Sequence, residues 1–235
     1  MDFVVVSETS LVSDADAQKI AQAICEQLIS FCVDWHLART ICSWAAKNAA
    51  ISPGNIAIRI RDLPDVEGAA GYHEEIDGII SALVFAQPLL DAGGGVLDGG
   101  KINDSVSAVV SHEVLESKKN PNTNLWADGP ILVANDSFVS VAYECADPVQ
   151  DGAYTASNGA LVSNYVFPSW FDLENKTGPY DKMGVLKGPM TVTHGGYVLV
   201  RNAPGSETPV FGQVGDARPW RVRPRLAALT KKKSA

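Results

Sequence analysis

The sequence predicts a single α+β domain: one helix carrying a His-Glu-x-x-Glu motif, packed on a small sheet, and a loop-rich C-terminal half. Three observations predict it. Hydrophobic residues make up 46% and charged residues 20% of the 235, enough apolar surface to bury a core and too much for a disordered chain. Apolar residues recur at helical spacing behind two good cap residues, while short Val/Ile/Phe runs bounded by Gly, Pro and Asn read as strands. Over 152–212 the apolar runs are cut short by Gly and Pro, the pattern of small strands and long loops. No repeat or linker splits the chain, so residues 1–215 are expected to form one domain and 216–235 a basic arm.

Residues 2–6 read as a short buried strand. Ser13 and Asp16 have capping-box spacing, and Ile20, Ile24 and Leu28 follow on one helical face, with Ala21 and Cys25 beside them. Residues 34–50 continue irregularly. Pro53-Gly54 makes a turn before a strand over Asn55–Ile60. Ile79–Phe85 is another strand, closed by Pro88. The stretch Asp91–Gly100 is a glycine-rich loop without a Lys-Ser/Thr ending or GxGxxG order, which argues against nucleotide binding. A helix starts at Asp104 or Ser105, carries Val106, Val109, Val110, Val114 and Leu115, and ends before Pro121. A polar loop, Asn120–Asn124, follows, and Phe138–Cys145 reads as a strand.

Charge and composition narrow the function classes. The net charge of −8 argues against nucleic acid as a partner. Between Asp216 and Ala235, however, seven Lys or Arg face one Asp, so a basic arm trails an acidic body. It reads as a solvated terminus, or as an arm docking on an acidic neighbouring subunit or nucleic acid. No apolar stretch is long enough for a membrane span, and the start of the chain has no basic n-region or small-residue cleavage site. Cytoplasmic synthesis without a signal peptide is expected. Cys25, Cys32 and Cys42 fall in an apparently helical N-terminal region, Cys145 stands apart, and no CxxC occurs. Buried free thiols are expected, not zinc-ribbon ligands or a disulfide scaffold.

The feature that can carry chemistry is Ser111-His112-Glu113-Val114-Leu115-Glu116. Residues four apart share a helical face, so His112 and Glu116 can present an imidazole and a carboxylate to one ion. Glu113, rotated about 100° along the helix, can hold a water and take its proton. These are the mechanics of the HExxH helix with Glu in place of the second His, a harder and more anionic ligand set. A third ligand is needed. Glu144 is the best candidate, because an unpaired carboxylate in its apolar stretch is costly. Asp147 competes for the place, or orients His112 from behind. The segment His73-Glu74-Glu75-Ile76-Asp77 also fits His-Glu-x-x-acid, but follows Gly71-Tyr72 and precedes a strand, so it reads as a non-helical decoy.

Several motifs in order resemble a group of bacterial and phage proteins with an HEVLE-type, zinc-metallopeptidase-like helix. They are Gly71-Tyr72-His73, Ser111–Glu116, Pro121 shortly after a polar residue, Glu144-x-x-Asp147-Pro148, Leu161–Phe167 followed by Pro168-x-Trp170-Phe171-Asp172, and Gly195-Gly196-Tyr197. The resemblance covers roughly residues 55–200 and excludes the basic arm. It implies a metallopeptidase-like domain, His112 and Glu116 as metal ligands, Glu113 as base, and Glu144 or Asp147 completing the site. The group tends to have Asp-Pro where this chain has Asn120-Pro121. A ligand role for that Asp would imply a weakened or inactive site here.

Such a site implies a zinc-dependent (or other divalent-metal) hydrolase acting on a protein or peptide. His194 in Thr193-His194-Gly195-Gly196-Tyr197, or Tyr197 itself, would donate to the developing oxyanion. The alternative from another class is a phage virion structural protein, capsid- or tail-associated, that keeps a peptidase-like scaffold. Its supports are Gly- and Pro-rich loops, an exposed Trp170-Phe171, and a basic arm able to reach neighbouring virion subunits. A third option is a binding module in which the ion is purely structural.

Overall fold

The computed structural model describes residues 1–65, 70–76, 79–130, 138–203 and 206–212. The basic arm lies outside the described residues. The first strand, β1 (Phe3–Ser7), is buried along its whole length and leads through Ser13 into α1 (Asp14–Asp34). The Ser13 side chain accepts from the Asp16 amide at 3.1 Å, satisfying one of the orphan donors of the first turn. Ile20, Ile24, Leu28 and Phe31 bury the inner face of α1 completely, each contributing roughly 1.5–3 kcal/mol of burial energy.

The chain then returns to pair β2 (Cys42–Ala45) in parallel with β1, a β–α–β unit inside what the sequence presents as an irregular stretch. Cys42 therefore sits in a strand and not in the N-terminal helical region. All four cysteines are free, with Cys25 half-buried and the others buried. β3 (Ile56–Arg61), β4 (Gly71–Ile76) and β5 (Ile79–Phe85) complete a five-stranded sheet in the order β2-β1-β3-β5-β4. All its pairings are parallel except β4–β5, so β4 is an antiparallel edge strand. Pro88 does not close β5 directly. It lies inside a short helix, α2 (Ala86–Asp91).

The motif helix, α3 (Val106–Lys119), is capped by Ser105, whose hydroxyl accepts from the Ala108 amide at 3.0 Å. It is not an amphipathic surface helix: every residue from Val106 to Ser117 is buried. One side packs against β3, β4 and β5, and the other against α1 and the hairpin of β8 (Ala153–Thr155) and β9 (Leu161–Ser163). Serines handle the polar demand on the hairpin side. Ser107 Oγ donates to the Leu161 carbonyl, and Ser111 Oγ donates to Gln27 Oε1 while accepting from the Ser163 amide.

A second sheet is antiparallel, in the order β11-β10-β7-β6, built from β6 (Trp126–Pro130), β7 (Phe138–Ala142), β10 (Tyr197–Ala203) and β11 (Ser206–Phe211). The described residues therefore form a mixed α and β structure with three α-helices and several sheets. Trp170 and Phe171 are not a surface patch. Trp170 is fully buried in a 3-10 turn, with its Nε1 donating to the Thr191 carbonyl at 2.7 Å, and Phe171 is half-buried against it. No helix among the described residues is long and apolar enough to cross a membrane.

Candidate metal centre

α3 offers one face to a cavity of about 290 Å³. His112, Glu113 and Glu116 form its floor. β4 supplies one wall (Gly71 to Glu74), Tyr197, Leu199 and Trp126 of the second sheet another, and Asp147 and Gln150 a third. The i,i+4 spacing of His112 and Glu116 brings His112 Nε2 to 3.3 Å from Glu116 Oε2. After β7 the chain turns through Glu144 and Cys145 into a 3-10 turn, Asp147–Val149. The amides of Ala146 and Asp147 donate to Glu116 Oε1 at 3.3 and 3.2 Å, and Asp147 Oδ1 stands 3.3 Å from the same His112 Nε2. Glu116 thus uses one oxygen to fix the turn that delivers Asp147, and leaves the other facing the imidazole.

Of the two candidates for the third position, Asp147 joins His112 and Glu116 in one group of converging ligand atoms, and Glu144 does not. Glu144 is buried close by. Its Oε1 accepts from Asn120 Nδ2 at 3.1 Å. Asn120, fully buried at the C-terminal cap of α3, also accepts through Oδ1 from the amides of Asn124 and Leu125. Its side chain therefore braces Glu144 and the following loop, and Asn in place of Asp removes no ligand from this group.

His73, which the sequence presents as a decoy, belongs to the same cluster. It is not helical, as expected, but it lies within β4 and not ahead of a strand, and strand alternation turns it, like Gly71, towards α3. Nδ1 lies 3.2 Å from Glu113 Oε2 and 4.0 Å from Glu116 Oε2, while Nε2 is 3.2 Å from the Asn120 carbonyl. A carbonyl only accepts, so Nε2 carries the proton, the arrangement that orients ligating histidines. His112 Nδ1 has no such partner among the described residues. The close passage of β4 over α3 requires Gly71, where a Cβ would sit 2.9 Å from Val109 Cγ1 and 3.0 Å from Glu113 Oε1.

Gly195-Gly196 brings the start of β10 against the Asp147 turn, and a Cβ at Gly196 would lie 2.2 Å from the Pro148 carbonyl oxygen. Gln150 Nε2 ties this contact to the Gly195 carbonyl at 2.9 Å. Tyr197 reaches the cavity as a result. His194 is exposed and is not among the residues lining it.

Burial acts to lower both histidine pKa values, but the carboxylates overcome it. His73 rises to about 9 through its hydrogen bond to Glu113 and the charges of Glu144, Glu113 and Glu116. His112 rises well above its ordinary value through Glu116 and Asp147. Burial and the charge of Asp147 push Glu116 upward as well. When bases and an acid in one pocket all hold protons more tightly, the pocket carries an excess of negative potential.

The donor set fits a divalent ion. Two ligands each about 2.1 Å from an ion at a tetrahedral angle stand about 3.4 Å apart. Both His112 contacts match that edge at 3.3 Å. No protein-family model, no curated protein and no solved structure matches the chain.

Proposed function

We propose that the protein is a metal-dependent hydrolase of peptide or protein substrates, with zinc the expected ion. The observation that carries this is the convergence of one imidazole and two carboxylates, His112, Glu116 and Asp147, at the floor of a cavity wide enough for a substrate segment. A divalent ion bound there supplies a water of lowered pKa and a Lewis acid for the scissile carbonyl. Glu113 borders the same floor and takes the proton from the attacking water, then returns it to the leaving amine. His73 holds the Glu113 carboxylate in place, and Gly71 leaves room for it. Tyr197 lines the cavity and is assigned as the donor to a developing oxyanion; His194 does not line it and is given no part.

A peptide suits the walls. Among the described residues β4 is the outer strand of its sheet, so an extended chain can add to its outer edge through main-chain hydrogen bonds along the cavity. Tyr72, Trp126 and Leu199 offer apolar contact for side chains.

Elemental analysis and a casein-type assay test this together. Wild type is expected to hold stoichiometric metal, and Glu116→Gln to lose it. Glu113→Gln should keep the ion held by His112, Glu116 and Asp147 while hydrolysis falls by about 10²–10⁴-fold. Equal hydrolysis by Glu113→Gln and wild type would refute the role of Glu113, and a metal-free wild type would refute the proposal.

A further inference from the structure

We propose that the centre holds a second divalent cation, bound by His73 Nδ1, Glu113 Oε2 and Glu116 Oε2, with Glu116 bridging the two ions. The inference rests on the first site just described, because it assigns Glu116 to both ions. Two groups of converging ligand atoms share that residue: His112 with Glu116 and Asp147, and His73 with Glu113 and Glu116.

The second group is more than a cluster of acids. Nε2 keeps its proton against the Asn120 carbonyl, so once Nδ1 gives up its own proton its lone pair is directed at the space beside Glu113 Oε2, 3.2 Å away. That separation matches the tetrahedral ligand edge of about 3.4 Å, so a dication can take the place of the proton shared between them. The third contact, Nδ1 to Glu116 Oε2 at 4.0 Å, closes to that edge with a shift of about half an ångström. His73 is also only 7% exposed, so an ion held there is shielded from bulk water.

The charge of the pocket also suits two ions. Glu113, Glu116, Glu144 and Asp147, none more than 5% exposed, surround the two imidazoles. One dication in the first site, with His73 still protonated, leaves this buried group at a net −1, whereas two dications on neutral rings bring it to zero. No Lys or Arg is among the described residues that line the cavity. Ions sharing a carboxylate in this way are the arrangement of two-metal hydrolases. Glu113 is then a ligand when both ions are bound and a proton acceptor when only the first is.

The test is the number of ions bound per full-length chain at saturating Zn²⁺, read by equilibrium dialysis, together with the electron paramagnetic resonance of the wild-type protein loaded with Mn²⁺. Two ions per chain and an exchange-coupled Mn²⁺ spectrum are expected, with His73→Ala binding one ion. If His73 is instead only an outer partner of a single site, wild type binds one ion, and the variant keeps that stoichiometry with affinity weakened about 10–100-fold. That result overturns the second ion and leaves the first intact. Two ions with an uncoupled spectrum overturn the Glu116 bridge. No bound ion overturns both this inference and the proposed function. The spectrum needs no variant, so misfolding of His73→Ala does not blunt the test.

Discussion

Asn120→Asp separates bracing from ligation. Asn120 Nδ2 donates to Glu144 Oε1 at 3.1 Å in a fully buried position. An ionised Asp would set two carboxylates at that distance, a repulsion of about 5 kcal/mol at an effective dielectric of 20. The protein has a cheaper course: the new carboxyl takes up a proton and donates it to Glu144 as the amide did. Protonating a group of ordinary pKa about 4 costs about 4 kcal/mol at pH 7 and about 1.4 kcal/mol at pH 5. The sign follows directly: the penalty is a proton-uptake cost, so it shrinks as pH falls. Asn120→Ala should instead cost about 1.5–3 kcal/mol at both pH values, since it leaves a buried carboxylate and two amides short of partners without adding charge. Urea unfolding of the metal-free variants at the two pH values measures all of this. An Asn120→Asp protein as stable as wild type at pH 7, or one that binds metal tenfold tighter, would show that this side chain faces the ions and does not brace Glu144.

Other expectations follow from the same geometry. Gly71→Ala should cost about 1–3 kcal/mol in a thermal or urea melt and weaken metal binding, because the added methyl meets Val109 and Glu113; an unchanged melt would refute the close approach of β4. Metal uptake at pH 7 should release protons, from His112 as the first ion binds and from His73 if a second does, and affinity should fall as the pH drops; calorimetry in two buffers of different ionisation heat counts the protons, and zero release would contradict the raised values. In the metal-free chain the stabilisation from these raised histidines is fully present below about pH 6.5 and is lost as pH rises through about 9, so its melting temperature should decline over that interval. His194→Ala should leave metal content and hydrolysis unchanged, since His194 is exposed and off the cavity; a large loss of rate would restore it to the site.

The parts of the fold that could be read from sequence are those fixed by local rules. Ser13 and Ser105 cap α1 and α3, and Pro121 follows the end of α3. The apolar runs of β1, β3 and β5 need no distant information. β2 and β4 do. Cys42–Ala45 is four residues with one buried side chain, made a strand by its pairing with β1. Gly71–Ile76 is polar because it is an edge, and the sequence alone does not show that β5 pairs with it. That long-range pairing is what carries His73 to Glu113, some forty residues away in the chain, so a motif search along one helix misses it. One signal was available: Gly71 and His73 share a strand face, and an intrastrand glycine marks close backbone approach. The choice between Glu144 and Asp147 was likewise open, because it depends on Glu116 Oε1 capturing the amides of a turn far along the chain.

Anomalous diffraction at the zinc edge, from crystals of the full chain grown with Zn²⁺, addresses the metal centre most directly. A peak between His112 Nε2, Glu116 Oε2 and Asp147 Oδ1 is expected. Crystals with those three side chains well ordered and no anomalous density among them would contradict it.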